Sequence, residues 1–392
     1  MAPKHQPLRT ALIGLSSTAA TSWASRAHLP NLLTEQGRSK FTITALQNSS
    51  VEAAQAAIKH YNLPPDTKAY GTPEDLANDP DIDVVICNTR VDKHFETVLP
   101  SIRAGKDVFI EWPIAQDLAH ADELVEAARK SGSRVGIGLQ RRWLPPVLKL
   151  KELIQGGSLG KVLTADVSFY NGEEDPTVLP EKLFYFTEKR YGGNPIVILG
   201  GHSLDYIFSV LGNLVPESIS SQMQIRRPEV KLVDPATGKT IKTVTRDTPD
   251  ILHFTARLQP SQYVVPGASF HYVFRSGQPF PGTPTANFTI TLESGQIQLT
   301  AGSPPGLEFA GPGQEAKIKV WRRGSKEAED VEWKWENVND EIGPIAAAMQ
   351  VPLYAFADGK EKGDGWVDIE DAREIARLID GFYKKWEQDG GL

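Results

Sequence analysis

The sequence predicts an α/β protein in two parts: a doubly wound parallel sheet over residues 1–140, then an α+β domain over 141–392 with a large open, mostly antiparallel sheet. Three observations carry this. Up to Gln140, short β-rich apolar runs alternate with helical patterns, the mark of βαβ units. Beyond it, strand patterns punctuated by Gly and Pro dominate through Trp335. A chain of 392 residues also fits two or three domains at roughly 150 residues each.

In order, Thr10 to Leu15 reads as a buried strand, Phe41 to Leu46 as a second, and Val51 to Tyr61 as a helix. Asp83-Val84-Val85-Ile86-Cys87-Asn88 is a third buried strand, followed by a helix from Val91 to Ala104. The strand Val108 to Ile110, the helix Leu118 to Ser131 and the strand Arg134 to Leu139 complete the first part. Right-handed crossovers wind such units into a sheet that takes its ligand at the strands' carboxyl ends. In the second part, the helix Pro145 to Gln155 leads into the strand Lys161 to Tyr170. Ser203 to Leu211 is helical, with Leu204, Ile207, Phe208 and Leu211 at i, i+3, i+4 and i+7. Ser269 to Arg275, Asn287 to Leu292, Gln296 to Thr300 and Lys317 to Trp321 read as antiparallel strands, with loops at Pro279 to Pro284 and Gly302 to Pro312. Helical patterns over Gly343 to Asp358 and Ile369 to Glu387 close the chain and are free to pack back on the first domain.

Composition narrows the function classes. With 40% hydrophobic and 23% charged residues, the chain is not disordered, fibrous or coiled-coil. A formal charge of −7 is the wrong sign for gripping phosphate backbones, so direct nucleic-acid binding is not expected. The single cysteine, Cys87, forms no internal disulfide or cysteine-rich zinc site, fits a reducing compartment, and lies in a buried-strand pattern as an inert thiol. The apolar run Ala11 to Leu15 is shorter than the roughly 7–15 residues of a signal-peptide core, and nothing approaches a membrane span. A soluble cytoplasmic protein without a metal site or membrane partner is expected.

The first strand runs into Gly14-Leu15-Ser16-Ser17-Thr18-Ala19-Ala20, ahead of a helix carrying Trp23 and His28. Small residues there let the backbone at Gly14, Ser16 and Ser17 approach a pyrophosphate, although an ordinary tight turn explains the same run. The second strand ends in Gln47-Asn48-Ser49-Ser50, where NAD-selective sites place a carboxylate on the ribose 2′-hydroxyl. Its absence favours NADP over NAD, though no nearby Arg completes the case. Asn48 or Ser49 then lies by the adenosine ribose.

These features stand in order with His94-Phe95-Glu96, Ala104-Gly105-Lys106, Glu111-Trp112-Pro113, Gly138-Leu139-Gln140-Arg141-Arg142-Trp143, Gly160-Lys161-Val162, Gly192-Gly193 and Gly200-Gly201-His202-Ser203-Leu204-Asp205. Over nearly its whole length the chain resembles the glucose-fructose oxidoreductase / inositol dehydrogenase / rhizopine-catabolism (Gfo/Idh/MocA) family. The resemblance implies a Rossmann NAD(P)-binding domain with Asn88, His94, Glu111, Trp112 and Gln140 on the cofactor side. It also implies a second domain carrying a substrate pocket and often an oligomer interface, so a homodimer or tetramer is expected.

The departures carry as much as the matches. Where the family has Glu-Lys-Pro, this chain has Glu111-Trp112-Pro113, and an indole cannot titrate in a lysine's place. The aspartate four residues before the histidine is Ile198. Of the usual trio only His202 remains, and the same losses mark the fungal Gal80-like branch of repressors, which bind NAD(P) and act by protein contact. The family's peptide before the proline is often cis, which would aim Trp112 into the cleft.

Each candidate also has a plainer interpretation. His202 is either a pocket group or a helix-start histidine bonded to backbone, and His94 either meets cofactor or packs beside the third strand. Trp112 and Trp143 line a cleft or fill a core, and Arg141 with Arg142 is a solvated pair or binds a ligand oxygen. Glu327 to Asp330 and Lys384-Lys385 read as solvated faces.

Two functions follow. One is an NAD(P)-dependent oxidoreductase moving hydride between nicotinamide and a carbonyl, alcohol or imine carbon, with His202 as general acid/base because an unperturbed imidazole titrates near neutrality. The alternative is a catalytically silent nucleotide-binding regulator read by a protein partner, for which a nuclear location also fits. For the enzyme, Trp112, Trp143, Arg141, Ile198, Tyr185 and Tyr206 line the substrate pocket, with Tyr185, Tyr191 or Tyr206 as a second donor. A pocket that has exchanged lysine and aspartate for apolar groups suits a less polar carbonyl, imine or aromatic compound.

Overall fold

The computed structural model describes residues 6–19, 21–302, 307, 316–338 and 341–391. The chain divides into two compact units: residues 1–140, 190–193 and 337–377 in the first, and 141–189, 194–336 and 378–392 in the second.

The first unit is built on β1 (Leu8–Ile13), β2 (Phe41–Gln47), β3 (Lys68–Tyr70), β4 (Val84–Cys87), β5 (Asp107–Glu111) and β6 (Val135–Gly138). They lie parallel in the order β6-β5-β4-β1-β2-β3, and the short strand Val367–Asp368 adds antiparallel to β6. The strand order therefore reverses between β1 and β4, the point where a doubly wound sheet opens a crevice. Helices α1 (Val51–His60), α2 (Val91–Arg103) and α3 (Leu118–Ser131) cross between strands. Their starts follow local chemistry: Ser50 accepts from the Ala53 amide to cap α1, and Asp117 accepts from the His120 amide to cap α3.

β1 stops at Ile13 rather than Leu15, because Gly14 takes φ +86°, a left-handed conformation that ends a strand. The sequence also shows too little of what covers β4, β5 and β6. Helix α6 (Pro344–Ala357) packs Met349, Leu353 and Phe356 against Val84, Ile86 and Phe109 in one buried cluster, and Trp366 joins it.

The second unit holds α4 (Pro145–Gln155), α5 (Gly201–Leu211) and an eight-stranded sheet. Its strands include β7 (Val162–Tyr170), β12 (Ile251–Arg257), β13 (Val264–Arg275), β14 (Ala286–Leu292), β15 (Gly295–Ala301), β16 (Lys317–Arg322) and β17 (Glu329–Val331), with β9 (Ser220–Gln224) at one edge. The order is β17-β16-β15-β14-β7-β13-β12-β9, antiparallel except where β13 runs parallel to β7. Alternation decides the faces: Ala286, Phe288, Ile290 and Leu292 of β14 turn inward. Phe208 of α5 meets Phe270 at 6.1 Å, and Phe382 of α7 (Ile369–Gln388) meets Phe254 at 4.8 Å, so helices cover that face.

Two differences from the sequence reading stand out here. β13 begins at Val264 rather than Ser269, and Pro266 and Gly267 at a register shift hide its start. A separate three-stranded sheet, β11-β10-β8, forms from β8 (Val178–Pro180), β10 (Glu229–Val233) and β11 (Thr240–Thr245). Most of the expected loop Gly302 to Pro312 lies outside the described residues.

Truncating Phe356 to Ala should cost about 3–5 kcal/mol. The loss should appear as faster amide exchange in β5 and β6, while amides of β7 and β14 keep their protection.

Candidate functional site

At the carboxyl edge of the first sheet, a side chain on Gly14 would lie 3.0 Å from the backbone carbonyl of Asn88, so the ends of β1 and β4 meet without side-chain intervention. Asn88 follows β4, and both its amide nitrogen and amide oxygen are buried without a hydrogen-bond partner among the described residues. Gln140, just after β6, is 1% exposed with its Oε1 in the same condition. Such groups cost free energy unless a ligand or water meets them. A ledge of unmet donors and acceptors beside a close-packed βα turn fits a dinucleotide.

Around the first turn, Ser16 Oγ takes the Thr18 amide at 3.2 Å and Ser17 is exposed. Asn48 is spent on the fold: its side-chain amide donates to the Leu15 carbonyl at 3.0 Å, tying the β2 end to that turn. Ser49 is exposed and free to meet a ribose, and Gln47 Oε1 is buried without a partner among the described residues.

Glu111 ends β5, and its carboxylate lies 2.5 Å from His28 Nε2. His28 is wholly buried. A Cβ on Gly138 would come within 2.7 Å of that carboxylate, which is why the neighbouring strand ends in glycine. The next peptide, Trp112–Pro113, is cis, and Trp112 is 5% exposed. His94 is occupied by the backbone rather than open to cofactor: Nδ1 faces the Pro113 carbonyl at 2.8 Å and Nε2 the Thr89 carbonyl at 3.0 Å. Burial lowers its pKa, so a neutral ring donates to one carbonyl at a time and pins the β4–α2 loop to the Pro113 segment. Cys87 is likewise a buried thiol whose pKa burial raises.

In the second unit, the turn Gln140–Trp143 brings Arg141, which is 2% exposed, electrostatically beside His202 of α5. His202 is 6% exposed, and its Nδ1 is buried without a hydrogen-bond partner among the described residues, so it is not a helix-start histidine fastened to backbone. Burial, then the Arg141 charge, lower its pKa well below the ordinary histidine value. The expectation of an imidazole poised near neutrality is therefore not met, because burial and the neighbouring charge favour its neutral form.

Arg142, by contrast, is neither solvated nor open to ligand. Its Nε and Nη2 hold Asp205 Oδ1 at 2.7 and 2.6 Å, locking the Gln140–Trp143 turn to α5. Tyr206 is buried on α5, Trp143 is half-buried with its indole nitrogen unmet among the described residues, and Ile198 lies half-buried in the π-turn Ile196–Gly200 that precedes α5. Tyr185 packs edge-on to Phe186 at 4.8 Å. Phe186 in turn packs against Leu179, Val230 and Leu232 of the small sheet.

Tyr191 belongs to the first unit, its ring 4.9 Å from the Arg90 guanidinium and 4.6 Å from that of Arg190. Three groups were not singled out from sequence as site residues: His28, the Asp205 end of the Arg142 pair, and Tyr272. The Tyr272 hydroxyl shares a 2.6 Å hydrogen bond with Ser203 Oγ, and burial raises its pKa. No local pattern announces contacts between residues so far apart in sequence. Among the described residues no cluster of ligating side chains forms a metal site, and no helix is long and apolar enough to cross a membrane.

Comparison with known proteins agrees with this architecture. A family model described as "Oxidoreductase family, NAD-binding Rossmann fold" matches residues 8–139, and one described as "Gal80p, C-terminal domain" matches residues 145–301. The chain is 31% identical to Dehydrogenase aclE of Aspergillus oryzae over 79% of its length and 82% of that protein. It is 30% identical to the galactose/lactose metabolism regulatory protein GAL80 of Saccharomyces cerevisiae over 98% of its length and 82% of that protein. In fold it is similar to a super-repressor mutant of Gal80p from Saccharomyces cerevisiae, with TM-score 0.81 and 24% identity, covering 98% of this chain and 97% of that one.

The Arg142–Asp205 pair yields a stability test. Arg142→Ala takes the guanidinium from a fully buried carboxylate and should cost about 3–5 kcal/mol, whereas Arg142→Met with Asp205→Leu should be closer to neutral, as read by denaturant unfolding.

Proposed function

Because the chain belongs to the Gfo/Idh/MocA oxidoreductase family, on its Gal80-like branch, we propose that it is an NAD(P)-dependent oxidoreductase with a non-standard set of catalytic residues. It would move hydride between nicotinamide and the carbonyl, alcohol or imine carbon of a small molecule. When bound, the cofactor supplies the hydride donor or acceptor. The dinucleotide is held by Gly14, Ser16 and Ser17 at its pyrophosphate, Ser49 at its adenosine ribose, and Asn88, Glu111 and Gln140 toward the nicotinamide. The missing carboxylate after β2 removes a repulsion against a 2′-phosphate, so NADP binds better than NAD.

The observation that carries the enzyme reading is His202. A deeply buried imidazole, held neutral beside a buried arginine and with an unmet Nδ1, offers a hydrogen-bonding site to a substrate hydroxyl, which a surface read by a protein partner does not require. Kept neutral, it accepts the hydroxyl proton as an alcohol is oxidised, while Arg141 stabilises the negative charge gathering on that oxygen. Trp112 and Ile198 supply apolar area where the family has lysine and aspartate, which favours a substrate poorer in hydroxyls. Assembly as a homodimer or tetramer is part of the same proposal.

A second reading has its own observation. Loss of the lysine and aspartate at Trp112 and Ile198, together with the match to the Gal80p C-terminal domain, suits a nucleotide-dependent regulator that acts on a protein. Saturable binding of NADPH or NADH without turnover of alcohols, polyols or carbonyls would favour it. A Trp112→Lys, Ile198→Asp variant that gained turnover would reinforce that choice.

Under the enzyme reading, His202→Asn should lower kcat/KM by about 10²–10⁴-fold with the cofactor Kd unchanged. Because the imidazole is already neutral, alcohol oxidation should show no histidine limb between about pH 6 and 8, and a bell centred there would contradict the assigned role. An aryl ketone or cyclic imine should also exceed a free hexose in kcat/KM. A preference for the hexose by more than about tenfold, or 1.4 kcal/mol, would show polar partners not identified above.

A further inference from the structure

The first unit buries a carboxylate where a strand end would normally be apolar. Glu111 is 8% exposed, and His28 is its one hydrogen-bond donor among the described residues. The histidine arrives by an unusual route. Ala24–His28 is a single π-helical turn, and one such turn rotates the side chains that follow it relative to an α-helix.

That turn is anchored on both sides. Asn31 Nδ2 donates to the carbonyls of Ala27 at 2.8 Å and Ala346 at 2.7 Å, and the Tyr354 hydroxyl donates to the Asn31 carbonyl at 2.8 Å. Phe109 lies edge-on to the imidazole with ring centroids 6.0 Å apart. The ring therefore has one place to be, with Nε2 on Glu111.

Hydrogen bonding also assigns its proton. Nδ1 is buried without a partner among the described residues, so a proton there would be an unmet donor; the proton sits on Nε2 and the negative charge on Glu111. A core position gains nothing from this arrangement, because a paired buried carboxylate is no better than an apolar side chain of the same size. Glu111 stands at the carboxyl end of β5, on the β4–β5–β6 side of the switch point. In a doubly wound sheet the half-site over β1, β2 and β3 takes the adenosine, which leaves this side to the nicotinamide.

We propose that His28 is a positioning residue: it fixes the Glu111 carboxylate as a stationary negative charge for the nicotinamide ring, so that the protein distinguishes the oxidised, cationic cofactor from the reduced, neutral one. This rests on the cofactor reading above. The preference does not depend on catalysis, and it would serve an enzyme and a nucleotide-dependent regulator alike.

The test is binding, without turnover. Dissociation constants for NADP+ and NADPH, and for NAD+ and NADH, are measured by calorimetry on wild type, His28→Ala, His28→Gln, Glu111→Gln and the His28→Ala, Glu111→Gln double variant. The oxidised and reduced forms share every atom of their adenosine halves, so a general loosening of the fold moves both constants together. A change confined to the nicotinamide end, its charge above all, is what moves their ratio.

The oxidised-to-reduced Kd ratio should rise about tenfold in Glu111→Gln and in His28→Ala, and the double variant should add nothing further. His28→Gln, which keeps an N–H donor, should fall between wild type and His28→Ala. An unchanged ratio in variants that still bind both forms overturns the proposal and leaves the cofactor site intact. Wild type that binds no nucleotide at millimolar concentration removes the cofactor reading and this proposal with it. Should His28→Ala not fold, His28→Gln and Glu111→Gln carry the comparison.

Discussion

The contact between the ends of β1 and β4 governs the first unit. A Cβ on Gly14 would sit 3.0 Å from the Asn88 carbonyl, and the left-handed turn at Gly14 breaks β1 at that point. With no side chain between them, the strands stay paired to their last residues at the place where the order reverses. The crevice that results is lined by whatever follows each strand. Here those residues are amides and a carboxylate rather than apolar groups, and a sheet otherwise filled by Val, Ile and Phe ends in polar atoms, of which those of Asn88 and the Gln140 Oε1 have no partner among the described residues.

Much of this was legible in the sequence where local chemistry decides the outcome. Leu118–Ser131 and Pro145–Gln155 begin and end where the sequence places them, because Asp117 and Gly132 bracket one, and the proline at 145 and Gly156 bracket the other. The run from Val84 to Cys87 is apolar throughout and finds burial on both faces. Where partners lie far apart in sequence, the signal fades. His28 and Glu111 are 83 residues apart, and Ser203 and Tyr272 are 69 apart. The two π-turns, at Ala24–His28 and Ile196–Gly200, have no signature separable from an ordinary helix. The three-stranded sheet was hidden because its strands are short and its β8 ends in Pro180.

The candidate site was legible by type more than by role. His94, Arg142 and Asn48 all looked available to a ligand, and all are engaged by the fold: His94 by two carbonyls, Arg142 by Asp205, and Asn48 by Leu15. His202 and Arg141 went the other way, since burial leaves one neutral and unmet and places the other beside it. The difference lies in desolvation, which depends on what packs around a residue and cannot be read from its neighbours in sequence. The same burial favours the neutral form of His202.

The return of residues 337–377 to the first unit has a consequence for how the protein is made. A ribosome releases the whole parallel sheet long before it reaches Met349, Leu353 and Phe356, which cover β5 and β6. At about 5–20 residues per second, the nascent sheet waits on the order of 10–40 seconds with that face bare. Throughout that time the second unit is itself being synthesised. That interval is set by the order of the chain, and the two units, though each compact, cannot be completed one after the other.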